Sequence, residues 1–219
     1  MKTKETARRR FLRGMSATMA GGLTGWIQQV LAADAKSLPQ GIIRMKGEVT
    51  VNGAPAREGT PVKAGDVVAT GAGAQAVYVF GDNAFLQRAN SRVDFGDTAI
   101  AGFLRIVTGG LLSVFGKGNR RLGTPTATIG IRGTGCYIET DEQKSYFCLC
   151  FGEVDLQPTN GQMQNYSTSH HEKPVWIENG ATSPAKVVNH TDAEIIMLEA
   201  LVGRGSPFPP AMRKSGRGY

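Results

Sequence analysis

From Gln40 onward the apolar residues alternate or come in short runs, and each run stops at a turn signal. Val49-Thr50-Val51 leads into Asn52-Gly53, the strongest two-residue hairpin signal. Val67 to Ala69 lies between Gly65-Asp66 and Thr70-Gly71, and Ala76 to Phe80 meets Gly81-Asp82-Asn83 ahead of Phe85-Leu86. Further short strands are expected at 92–95, 103–107, 111–115, 126–131, 136–140 and 145–151. The 29 glycines outnumber the aromatic residues, which suits short strands joined by tight turns. An all-β sandwich, barrel or solenoid is the expected architecture.

One helix breaks the pattern. Thr191 followed three residues later by Glu194 is a capping box, and Ile195, Ile196, Leu198, Leu201 and Val202 supply an apolar face at helical spacing. Gly203 to Gly205 and the prolines at 207, 209 and 210 end it. Such a helix is expected to cover an open edge or end of the β domain.

Arg8-Arg9-Arg10-Phe11-Leu12-Arg13 resembles a twin-arginine export motif, with Ala7 where Ser or Thr is usual. Arg8, Arg9, Phe11 and Leu12 carry the resemblance. Residues 14–31 are only weakly apolar, short of the ~20 strongly apolar residues a spanning helix needs, so a stable membrane anchor is not expected. Ala33-Asp34-Ala35 offers small residues for cleavage after Ala35, or alternatively after Ala33. The segment is therefore expected to engage the twin-arginine translocase, deliver the folded chain to the periplasm and be removed.

The net charge of +7 invites a nucleic-acid reading until it is mapped. Residues 1–35 carry +4, residues 36–212 balance 16 basic against 16 acidic side chains, and the last seven residues carry +3. A protein that tracks phosphates needs its positive charge on the folded surface, so no nucleic-acid partner is expected. The expected organisation is a signal peptide at 1–35, a β domain at 40–157, a β-rich extension at 158–190, a helix at 191–204 and a disordered basic tail at 205–219.

Two of the strand-and-turn segments together resemble the FecR family. Gly65-Asp66 to Gly71 is similar to its GD-x-V-x-TG segment, and Thr124 to Thr134 is similar to its TP-x-A-x-x-G-x-RGT segment. A β pair ending in Gly152-Glu153-Val154 belongs to the same pattern, so the likeness runs from about Gly47 to Leu156. It implies an all-β domain, a FecR-like solenoid or sandwich with the C-terminal helix packed on it, on the outer side of the inner membrane. In signalling members the domain follows a cytosolic anti-sigma segment and a membrane helix and relays receptor occupancy to a sigma factor. Here an export signal stands in their place, so fold and compartment carry over and direct control of a sigma factor does not. Gly71, Gly130 and Gly133 are expected to take positive φ at corners. Arg132 is expected to reach a carboxylate or carbonyls and tie two coils together. The motif Gly65, Asp66, Gly71, Gly130, Arg132, Gly133 and Thr134 is read as structural.

The sharpest chemical feature is Cys148-Leu149-Cys150, with Cys136 on the preceding strand and His170-His171 further on. Residues two apart on a strand share a face, so Cys148 and Cys150 present two sulfurs together. If Thr140 pairs with Tyr146, Cys136 faces Cys150; a one-residue slip sends it to the other face. Three readings stand open: a cross-strand disulfide in an oxidising compartment, a metal site for copper, zinc or an iron–sulfur cluster, or thiols and imidazoles with no shared role. Candidate ligands are Cys136, Cys148, Cys150, His170 and His171, of which the adjacent histidines point apart if their segment is extended. Glu139, Glu172 and His190 are additional candidates.

No Ser-His-Asp set sits on a nucleophile turn, no phosphate-binding glycine loop is present, and there is no H-E-x-x-H. A non-enzymatic interaction or sensory module of the envelope is expected, with an envelope protein or small ligand as partner. A metal-binding protein for metal handling, redox sensing or electron transfer is the alternative. Catalysis enters only if a bound metal keeps an open coordination position.

Overall fold

A computed structural model describes residues 40–96 and 103–209. The expected export signal, and the tail from residue 210, lie outside the described residues. Among the described residues, fifteen strands form two antiparallel sheets that enclose one hydrophobic core. The first sheet runs β1 (Gly41–Lys46), β5 (Gln75–Phe80), β6 (Asn83–Gln87), β8 (Phe103–Val114), β11 (Gly135–Thr140), β12 (Lys144–Pro158), β14 (Val175–Glu178), β15 (Ala181–Pro184). The second runs β3 (Ala54–Pro55), β2 (Val49–Val51), β4 (Val67–Thr70), β7 (Arg92–Asp94), β8, β9 (Asn119–Gly123), β10 (Ala127–Arg132), β12, β13 (Gln164–Thr168). Only the β8–β9 pair is parallel among these. The expected all-β fold with one C-terminal helix is what the chain adopts, in its sandwich form.

The two long strands belong to both sheets. β8 pairs with β7 as far as Thr108 and with β11 from Gly109. β12 pairs with β11 as far as Phe151 and with β13 from Gly152. At both crossings the glycine has positive φ, +83° at Gly109 and +96° at Gly152. A side chain there would be strained, and one at Gly152 would also sit 2.7 Å from the Thr134 methyl carbon. The expectation of separate strands at 103–107 and 111–115 is thereby corrected. Gly109-Gly110 does not end the strand; it turns the strand out of one sheet into the other. Among the motif glycines, Gly133 takes positive φ as expected, whereas Gly71 and Gly130 do not.

Side chains from both sheets, among them Ile42, Phe85, Leu111 and Phe147 from the first and Val68, Ile106, Ile129 and Leu156 from the second, fill the space between them. The first sheet is buried on its other face too. Every residue of β6, and every residue of β12 from Ser145 to Cys150, is buried, which a sheet with one wet face does not allow. The outer layer is the C-terminal segment. Its helix α1 (Asp192–Leu201) has the capping box read from the sequence: Glu194 N–H donates to Thr191 Oγ1 at 3.3 Å, and Thr191 N–H donates to Glu194 Oε2 at 2.9 Å. The helix packs on β6 and β8. Both strands already have partners on either side, so the helix covers a sheet face and not the expected open edge or end. Phe208, placed in the expected disordered tail, is buried against Phe151 and closes the same face.

Candidate functional site

Beneath this outer layer lies a cluster of sulfurs and imidazoles. Cys148 and Cys150 project from β12 onto the outer face of the first sheet. His171 comes from the loop between β13 and β14, and His190 and Asp192 from the start of the C-terminal segment. One ligand atom from each of Cys148, Cys150, His171 and His190 lies within 4.8 Å of all the others, and all four residues are buried. His171 Nδ1 stands 3.5 Å from Cys148 Sγ and 3.0 Å from His190 Nε2. A second group, His170, His171 and Asp192, adjoins the first through His171. The Asp192 carboxylate faces His171 Nε2 at 3.1 Å and His170 Nε2 at 3.0 and 3.1 Å.

The register of the β11–β12 hairpin decides which cysteines take part. Thr140 pairs with Ser145 and not with Tyr146, so Cys136 lies opposite Leu149 and Tyr137 opposite Cys148. Cys136 therefore points into the core between the sheets, away from the other two sulfurs. This corrects its assignment as a ligand and removes the cross-strand disulfide: all three thiols are free. The histidines depart from the simple alternation expected of an extended segment. His171 has φ +49°, and both rings reach Asp192, though of the two only His171 joins the sulfurs. Glu139 and Glu172 are elsewhere. Glu139 accepts from Tyr137 and Asn189, and Glu172 from Thr168. His190 belongs to the cluster, and Asp192 is the residue the sequence reading missed.

The surroundings hold each ring in place. His190 stacks on Tyr137 with centroids 4.9 Å apart and Nδ1 2.6 Å from the Val188 carbonyl. Phe208 lies against both His170 and His171. His171 N–H donates to the Cys150 carbonyl at 3.1 Å. Hydrogen bonding from the Cys150 thiol, supplemented by His171 and His190, holds the Cys148 thiol well below its ordinary value despite burial. Burial pushes the Cys150 and Cys136 thiols up. Cys148, His171 and Asp192 also line up like a nucleophile, base and orienting acid. However, Cys148 is fully buried, and a nucleophilic thiol needs access to its substrate. Two sulfurs and two ring nitrogens converging in a dry site are instead a donor set that could hold a soft or borderline metal ion.

The motif residues of the two glycine-rich segments form ties between strands. The buried Asp66 carboxylate accepts from Asn52 Nδ2 at 2.8 Å and from Lys63 N–H at 2.9 Å, closing the turn before β4. Arg132 pairs with Asp155 across β10 and β12 at 2.7 Å, the strand-to-strand link expected of it. Thr134 packs beside Gly152 at the β12 crossing.

Residues 66–155 match the family model described as FecR protein. No curated protein matches the chain. Two crystal structures of a candidate anti-sigma factor from Parabacteroides distasonis, at 1.65 and 2.50 Å resolution, are similar to it at 10% identity. They cover 62% of this chain and 74% and 73% of their own, with a TM-score of 0.47 in each case. Both glycine-rich segments fall within the matched span apart from Gly65 just before it, but the likeness read from about Gly47 to Leu156 is wider than the match, which begins at residue 66 and ends at residue 155. The chain carries a FecR domain across residues 66–155.

Proposed function

We propose that this protein is a sensory module of the bacterial cell envelope that reads a chemical state at its buried cysteine–histidine cluster and transmits it to a partner without catalysing a reaction. The twin-arginine motif and small-residue cleavage site support export through the twin-arginine translocase to the periplasm, with removal of the signal after Ala35 or Ala33. Among the described residues no helix is long and apolar enough to cross a membrane. The partner is an envelope protein or a small ligand.

One observation carries the reading. The cluster straddles a junction: both sulfurs come from β12 inside the FecR domain, whereas His190 and Asp192 come from the C-terminal segment beyond it. A chemical change at the sulfurs therefore acts directly on the residues that seat α1 on the first sheet. Around them Arg88 fastens the same segment, with both guanidinium nitrogens 3.0 Å from the Glu194 carboxylate and Nη2 2.6 Å from the Asn189 carbonyl. A sensor works by biasing an element between two positions, and the segment tied to the sulfurs is the element this reading assigns to that part.

Hydrogen exchange on the full chain tests this by comparing wild type with Cys148→Ser, Cys150→Ser. Faster exchange at 188–202, with protection of 104–114 unchanged, is the expected result. Equal protection of the C-terminal segment in both proteins would show that the cluster does not communicate with it.

A further inference from the structure

We infer that Cys148, Cys150, His171 and His190 bind one tetrahedral zinc ion, the ligand of the site on which the sensory reading rests. His190 Nδ1 lies 2.6 Å from the Val188 carbonyl, an acceptor only, so Nδ1 carries the proton and Nε2 presents a lone pair. His171 Nε2 lies 3.1 Å from the Asp192 carboxylate, so it too carries a proton, and Nδ1 presents the lone pair. These two lone pairs face each other at 3.0 Å, with Cys148 Sγ 3.5 Å from His171 Nδ1. In these tautomers a cation held among the four donors takes up both lone pairs.

The outer hydrogen bonds have the form that metal-binding histidines use. One ring nitrogen ligates while the other donates to a carboxylate or a backbone carbonyl, which sets the tautomer and the ring orientation. Here a carboxylate holds His171 and a carbonyl holds His190. The dimensions also select the ion. Bonds of about 2.3 Å to sulfur and 2.0–2.1 Å to nitrogen put ligand atoms of one tetrahedral ion roughly 3.3–3.8 Å apart. The four donors here lie within 4.8 Å of one another, with the two ring nitrogens 3.0 Å apart, so the widest pairs close slightly and the nitrogens part slightly to reach that arrangement. An iron–sulfur cluster distributes its protein ligands over more than one iron and needs a wider cage. Two thiolates and two imidazoles in tetrahedral reach suit zinc. With four protein ligands and every one buried, the site has no open position, and its zinc holds structure instead of activating water. His170 stands outside this set, supporting Asp192 from its far side.

Protein purified from the periplasm under reducing, anaerobic conditions is expected to contain about one zinc per chain by elemental analysis, the stoichiometry of a closed four-ligand site. Cobalt substituted for zinc is expected to give the intense visible bands of tetrahedral thiolate coordination. Cys148→Ser, Cys150→Ser and His190→Ala lose the ion, whereas His170→Gln and Cys136→Ala keep it. Asp192→Asn keeps it with affinity weakened about 10–100-fold, as for loss of an outer-shell partner. Should the cysteine variants fail to fold, cobalt titration of the metal-stripped wild-type chain gives the same answer. Wild-type protein that takes up neither zinc nor cobalt, that holds copper or iron with sulfide instead, or that loses its zinc with His170→Gln would overturn the assignment. If zinc is absent and hydrogen exchange still couples the cysteines to the C-terminal segment, the sensory reading stands and the ligand is another.

Discussion

Gly152 has φ +96° at the point where β12 leaves one sheet for the other, and an added methyl group there would sit 2.7 Å from the Thr134 side chain. Gly152→Ala is expected to destabilise the fold by about 2–4 kcal/mol, from left-handed backbone strain together with overpacking. Urea unfolding measures it as a lower midpoint; an unchanged midpoint would show that the crossing tolerates a side chain. The identity of this glycine was legible in the sequence, but its role was not. A glycine that ends a strand and a glycine that turns a strand between sheets look alike in one dimension, which is why two strands are expected at 103–107 and 111–115 where the chain forms one. Cys136 shows the same limit. Cys148 and Cys150 share a face because they are two apart, a local fact. Whether Cys136 joins them depends on one residue of register across the hairpin at Asp141, and the hydrogen bond from Asp141 N–H to the Lys144 carbonyl at 3.0 Å accompanies the tighter register.

Helix α1 combines a local signal with a distant one. Its capping box was readable because Thr191 and Glu194 are three residues apart and satisfy each other's backbone. Its seat on β6 and β8 was not, since this depends on Arg88, 106 residues away, meeting Glu194. The two contributions separate by mutation. Thr191→Ala removes the cap alone and is expected to cost ~1 kcal/mol, the usual loss for an N-cap hydroxyl. It appears as a shifted denaturation midpoint at constant slope, since the surface exposed on unfolding does not change. A changed slope would mean that the helix had already left the sheet in the native state. His190 is immediately ahead of the cap and Asp192 immediately after it, so the cap also sets the spacing with which the C-terminal segment meets the sulfurs.

At the scale of the whole molecule, the first sheet separates two apolar layers that differ in how they are held. The inner layer, between the sheets, is closed by strands that continue from one sheet into the other, and it contains no member of the cysteine–histidine cluster. The outer layer is closed by a segment of about twenty residues whose attachments include α1, the Arg88–Glu194 pair, the Arg204 bond to the Asp82 carbonyl, Phe208 and the cluster itself. Alternation along the strands pointed to the inner layer. The outer one was hidden, because a strand buried on both faces shows a continuous apolar run that resembles any short strand. An ion bound only by the folded chain adds RT ln(1 + [L]/Kd) to stability, about 2.7 kcal/mol at a free concentration of 100 Kd. For a domain of this size that corresponds to roughly 5–10 °C in Tm. Calorimetry under reducing conditions is therefore expected to show a fall of that order when a strong zinc chelator is added to the wild-type protein, and none for Cys148→Ser, Cys150→Ser. The loss should fall first on the outer layer, since the inner core has no ligand to lose: near-ultraviolet dichroism from Tyr137 and Tyr146, which flank the cluster, changes before the far-ultraviolet signal of the sandwich. If the two signals moved together, the layers would be one cooperative unit, and occupancy of the site could not release the C-terminal segment without unfolding the domain that carries it.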